Sequence, residues 1–145
     1  MTKPEIRRAS PDEAAAAELL HAALGGWIKE WNPDHVWVAV LPDGSIVATA
    51  REAEVGARGV HVVESVWVRE DFRGRHLGIC VIEQLLEQSK SPRLWLDCHP
   101  VLVNYYAKLG FKISDKAVIT PDYMDETDPP DQIVMSISIM EKTDD

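Results

Sequence analysis

Cysteine is scarce in this chain. The two present, Cys80 and Cys98, lack both the number for a disulfide framework and the paired C-x-x-C spacing of a zinc site. No apolar run approaches the ~18 residues that span a bilayer. Met1-Thr2-Lys3-Pro4-Glu5 carries no apolar core of a secretory signal, so a cytoplasmic location, away from membranes, is the expectation. Positive charge is also short, with 15 Lys and Arg against 24 Asp and Glu for a net charge of −9. That balance argues against nucleic acid as a partner, because nucleic-acid binding needs a basic face. No G-x-x-x-x-G-K-[ST] or G-x-G-x-x-G motif occurs, which removes the Walker A loop and the dinucleotide fingerprint.

What remains is an ordinary globular composition, 46% hydrophobic and 27% charged, over 145 residues. One domain, residues 1–145, with one core is expected, ending in a frayed tail at 141–145. Glu5 to Ala9 reads as a strand. Ser10-Pro11-Asp12-Glu13 reads as a capping box opening a helix that runs to Leu24 and stops at Gly25-Gly26. Trp27 to Trp31 reads as a second, short helix. His35 to Leu41, Ser45 to Val55 and Val60 to Val68 then form an antiparallel meander, with a turn at Pro42-Asp43-Gly44.

Gly74 to Ser89 carries the strongest helical period, with Gly78, Val81, Ile82, Leu85 and Leu86 on one face. Arg93 to Cys98 is a strand, so strand–helix–strand here predicts a parallel crossover. Val101 to Leu109 is a short helix ended by Gly110. Phe111 to Thr120 and Gln132 to Met140 are two more strands, joined by the acidic segment Pro121 to Asp131. The expected fold class is α/β: a mixed, mostly antiparallel sheet of about seven strands flanked by about four helices.

The local basic excess at Arg73, Arg75 and His76 stands out against the acidic whole. It opens the best helix, where first-turn N–H groups lack intrahelical acceptors and the helix dipole is positive. Gly74 and Gly78 keep the backbone open to a close ligand. This is a site for an anion, and phosphate suits it best; solvated arginines beside packing glycines would give the same pattern.

Arg73-Gly74-Arg75-His76-Leu77-Gly78 resembles the acyl-CoA-binding motif of the GNAT N-acetyltransferase superfamily, [QR]-x-x-G-x-[GA]. Arg73 matches its first position and Gly78 its last, while His76 stands where the middle glycine is usual. Tyr106-Ala107-Lys108-Leu109-Gly110-Phe111 resembles that family's Y-x-K-x-G-F segment, and the order of elements agrees from Glu5 to Met140. Seven residues before Tyr106, where the family often has Asn, this chain has His99.

The resemblance implies a GNAT fold and transfer of an acetyl group from acetyl-CoA to a primary amine, by direct attack and without a metal. The pyrophosphate would lie on N–H groups from Arg75 to Gly78, including Leu77, with Arg73 and Gly74 beside it. The pantetheine arm would run along Val66, Trp67 and Val68, with His99 at the family's further contact point. Tyr106 would protonate the leaving thiolate. An oxyanion donor would come from a backbone N–H near Val66, and the family admits a homodimer through its C-terminal strands. A non-catalytic acyl-CoA-binding module is the competing reading.

The general base must come from the residues themselves. Strict alternation places Glu64 on one strand face with Val60, Val62, Val66 and Val68, where desolvation would raise its pKa and make it a better base. A bulge or a neighbouring arginine would cancel that effect. His61, on the opposite face, is the reserve. Asp97-Cys98-His99 is not read as a Cys/His nucleophile, because adjacent strand residues point to opposite faces. On the acceptor side stand Trp27, Trp31 and Trp37, as pocket wall or core, and the acidic residues Asp122, Asp125, Glu126, Asp128 and Asp131, as a lure for a cationic amine or a solvated loop.

Overall fold

The structure, a computed structural model, describes residues 3–23, 32–55, 59–114 and 132–138. The expected helix at Trp27 to Trp31, the acidic segment and the second half of the strand after Phe111 lie outside these residues. Among the described residues there are seven strands in one mixed sheet, ordered β1-β2-β3-β4-β5-β7-β6, and three α-helices. Every ladder with a given register is antiparallel except β4 with β5, where Val62 faces Trp95 in a parallel pair. The strand–helix–strand segment thus makes the parallel crossover its pattern requires. The chain divides into two compact units, Met1–Glu52 with Glu64–Ser89, and Ala53–Val63 with Lys90–Asp145.

In the first unit, β1 (Glu5–Arg8) leads into α1 (Pro11–Ala23) through the expected capping box. The Glu13 N–H donates to Ser10 Oγ (3.2 Å) and the Ser10 N–H to Glu13 Oε1 (2.9 Å). Ala14 and Ala17 are buried against Val36, Val38 and Val40 of β2 (Val36–Val40). A turn with Gly44 at φ +91° and Asp43 Oδ1 accepting from the Ser45 N–H leads to β3 (Ile46–Val55). β4 covers Val60–Val68 and crosses from the second unit into the first.

A 3-10 turn at Glu70–Phe72 follows β4, and α2 spans Leu77–Gln88. The helix starts three residues later than its glycine suggests. Gly74 and His76 take left-handed backbone (φ +81° and +59°), which no helix accommodates. The buried face of α2 is Leu77, Gly78, Val81, Ile82, Leu85 and Leu86. Trp37 is core, not pocket wall: it is 1% exposed, and its Nε1–H donates to Gln88 Oε1 of α2 at 3.0 Å.

In the second unit, β5 (Arg93–Cys98) pairs antiparallel with β7 (Ile133–Ser138), and β7 with the two-residue β6 (Lys112–Ile113). The segment expected as one helix from Val101 is a 3-10 turn at Pro100–Leu102 followed by α3 (Val103–Ala107). Gly110 closes it at φ +104°, where a Cβ would stand 3.1 Å from Ile137 Cδ1.

Candidate active site

β4 delivers its C-terminal residues to the turn that the sequence marks as a candidate anion site. Val66, Trp67 and Val68 are half-buried, unlike Val62, which has no exposure. The Arg69 N–H donates to Val47 O at 2.8 Å, so β3 braces the end of the strand. Arg73 folds back, its Nε–H donating to Val68 O at 3.0 Å. Its side chain therefore shapes the turn. Arg69 and Arg75 lie over the Phe72 ring, each 5.0 Å from the centroid, and Arg69 also pairs with Asp71 at 2.7 Å.

Arg73, Gly74, Arg75 and His76 are exposed, whereas Leu77 and Gly78 are buried. The first α2 amide in this turn with a helical acceptor is that of Cys80, donating to His76 O at 3.1 Å. The amides before it face the positive end of the helix without intrahelical acceptors. His76 caps with no side-chain hydrogen bond, so the turn presents backbone rather than imidazole to the helix start. The fit to a pyrophosphate is good: two left-handed residues open the backbone, and a buried glycine follows in the first turn.

β4 also departs from strict alternation. Ser65 has φ +55°, and a single left-handed residue in a strand interrupts the period of two. The valine face inferred from sequence therefore stops at Glu64. Nor does Glu64 sit among valines alone, since its Oε1 accepts from Nη1 of Arg51, a buried cation on β3, at 2.9 Å. Burial alone is thus not the environment of this carboxylate. His61 pairs with Glu54 Oε2 at 3.2 Å.

Beside this kink lies a group that sequence reasoning passed over. His21 of α1 is half-buried, and its Nε2 is 2.9 Å from Thr49 Oγ1. Thr49 has no exposure, and its hydroxyl donates to Ser65 O at 2.8 Å. The His21 ring also meets Trp67 edge-on at 6.4 Å. Burial, with the Arg51 cation second, holds the His21 imidazolium below its usual range. The signal was available: His21 continues the i, i+3, i+7 face of Ala14 and Ala17.

In the second unit, Tyr106 of α3 is buried between Tyr105 and Phe111, with edge-on ring contacts at 5.1 and 6.1 Å. Burial pushes its phenol up to about 12, with Tyr105 adding to the shift. His99 caps the following 3-10 turn, its Nδ1 accepting from the Val101 N–H at 3.2 Å. Cys98 is buried with its Sγ 4.0 Å from Met135 Sδ, and burial, then Asp97, pushes its thiol up. That suits a core residue and not a nucleophile. Among the described residues no cluster of His, Cys, Asp or Glu could hold a metal ion, and no helix is long and apolar enough to cross a membrane.

A mixed sheet with a parallel crossover, feeding a strand into a glycine-opened helix start, is the architecture that the family resemblance implies. The model of the Acetyltransferase (GNAT) family matches residues 5–111, and the chain belongs to that family. A rice protein (Oryza sativa subsp. japonica) named "Probable glucosamine 6-phosphate N-acetyltransferase 2" is 37% identical over 115 residues, covering 71% of this chain. The match spans 64% of that relative's length, a little under two thirds. Among solved structures, a Mycobacterium tuberculosis protein in complex with CoA superposes with a TM-score of 0.67 at 17% identity, covering 93% of this chain and 99% of that one. Salmonella typhimurium yncA with its cofactor acetyl-CoA gives 0.67 at 15% identity, covering 95% of each chain. At these identities the likeness is one of fold.

Proposed function

We propose that this chain is a single-domain N-acetyltransferase that moves an acetyl group from acetyl-CoA to a primary amine. The observation that carries the proposal is the turn between β4 and α2. Its left-handed Gly74 and His76 shape the backbone at the point where the family motif calls for glycine. Amides from Arg75 to Gly78 hold the pyrophosphate at the helix start, with Arg75 beside them. Arg73 and Gly74 keep the turn in shape. Backbone groups of Val66, Trp67 and Val68 pair with the pantetheine amides, as a strand edge pairs with an added strand. His99 can meet that arm only through Nε2, because Nδ1 is taken.

Acetyl-CoA supplies an activated thioester. The amine attacks its carbonyl carbon directly, and a β4 amide just past Ser65 stabilises the oxyanion. Glu64, held by Arg51, receives the amine's proton through water. Tyr106 serves the leaving thiolate. A phenol near 12 is fully protonated at neutral pH, yet lies roughly 3 units above an ordinary thiol. Complete transfer to the thiolate is therefore uphill. Its contribution is a hydrogen bond to the developing negative charge.

The rice relative makes glucosamine 6-phosphate the first acceptor to try. The test is acetyl-CoA with a panel of amines that includes it, followed by release of free thiol. Turnover is expected with at least one amine, and Tyr106→Phe should lower kcat roughly tenfold to a hundredfold while CoA binding survives. CoA binding without turnover on any amine would favour the binding-module reading. Absence of CoA binding would remove both.

A further inference from the structure

The link between α1 and the kink in β4 has a defined proton order. A threonine hydroxyl has one hydrogen, and the Thr49 hydrogen goes to Ser65 O at 2.8 Å. Its oxygen must therefore accept at the other contact, so His21 donates from Nε2 across 2.9 Å. The chain runs His21 Nε2–H to Thr49 Oγ1, then Thr49 O–H to the carbonyl of Ser65. All three groups belong to the same compact unit. Ser65 is the left-handed residue of β4, and a non-glycine residue stays in that conformation only where its surroundings hold it.

We propose that His21 and Thr49 are positioning residues that lock the Ser65 kink, and so aim the β4 amides beyond it at the reacting carbonyl. This rests on the acetyltransferase reading above. The Ser65 carbonyl and the Val66 amide belong to one peptide plane, so fixing one orients the other. A wrongly tilted plane would keep the fold and lose the oxyanion contact, where misplacement of about 1 Å costs on the order of a hundredfold in rate. Trp67, edge-on to the same imidazole, ties the next residue of the strand to α1. Neutral His21 has two tautomers, and only the Nε2–H form completes the chain.

The experiment compares Thr49→Val, Thr49→Ser, His21→Leu and His21→Gln with wild type. Serine keeps the hydroxyl, and glutamine can place an amide N–H where Nε2–H stood. Valine and leucine variants should lose roughly tenfold to a hundredfold in kcat, with the CoA dissociation constant within about twofold of wild type. The serine and glutamine variants should recover most of that loss. His21→Leu combined with Thr49→Val should be no slower than the worse single variant, because both cut one chain. Long-range nitrogen–proton NMR should show His21 as the Nε2–H tautomer, and Thr49→Val should move the amide resonances of Val66 and Trp67.

Thr49→Ser as slow as Thr49→Val, additive losses, or the Nδ1–H tautomer would each overturn the proposal. Should the valine and leucine variants fail to fold, Thr49→Ser and His21→Gln decide it, and wild-type-like kcat is required of both. If wild type acetylates no amine, the enzymatic reading fails by itself. The tautomer and the amide shifts then judge the hydrogen-bond chain separately, and unmoved shifts would end it.

Discussion

At the scale of single residues, the most informative departure is His76. The family motif has glycine there, and the backbone shows why: φ is +59°, a region that costs an L-residue about 1–2 kcal/mol. Part of the gain from a glycine is offset by its greater freedom in the unfolded chain. His76→Gly should therefore stabilise the protein by about 1 kcal/mol, a rise in melting temperature of roughly 2–4 °C measured by calorimetry. A lower melting temperature would mean that the imidazole makes a contact worth more than the strain. The position of this residue was readable from its spacing to Arg73 and Gly78, but its conformation was not. Glu64 shows the opposite case. Its strand was legible from the valine alternation, and a bulge or an arginine partner stood as the alternatives to a desolvated carboxylate; that the left-handed Ser65 and the Arg51 pair both occur could not be read, because both depend on a neighbouring strand.

At the scale of elements, local signals read well wherever local chemistry decides. The capping box at Ser10 and Glu13, the buried face of α2 and the β4–α2–β5 crossover all lie where their spacing placed them. The start of α2 did not, since two residues of positive φ delay it beyond what periodicity can show. The α1 entry also carries a charge that no local pattern reveals: Glu13 is gripped by Arg7 of β1, both terminal guanidinium nitrogens reaching its carboxylate. The Arg7 hydrogen bond, with help from Ser10, holds the Glu13 carboxyl below its usual range. A depressed carboxyl stabilises the fold fully above its unfolded value, about 4.3, and the gain is lost as pH falls through the lower folded value. Glu13→Gln keeps the box but loses the ion pair. Its destabilisation, roughly 1 kcal/mol at pH 7, should shrink as the pH is taken below about 4. Melting curves at pH 7 and pH 3 check this, and an equal gap at both would show that the pair adds nothing.

At the scale of the whole molecule, two charges compete for one ligand. The chain is acidic, at −9, while its proposed phosphate cradle is locally basic through Arg73, Arg75 and the α2 dipole. CoA is a polyanion, so the global field repels it and the cradle attracts it. These forces differ in range. The cradle works at hydrogen-bond distance, well inside the screening length at any ordinary salt. Repulsion from the net charge is a long-range effect, felt over a screening length of about 30 Å at 0.01 M salt but of only about 10 Å at 0.1 M. Adding salt from very low levels therefore removes repulsion first. CoA should bind more tightly near 0.1 M than near 0.01 M, and weaken only at higher salt as the contacts themselves are screened. Calorimetric titration across that range gives the sign directly. Affinity falling steadily from the lowest salt would mean that the cradle outweighs the rest of the acidic molecule even at long range.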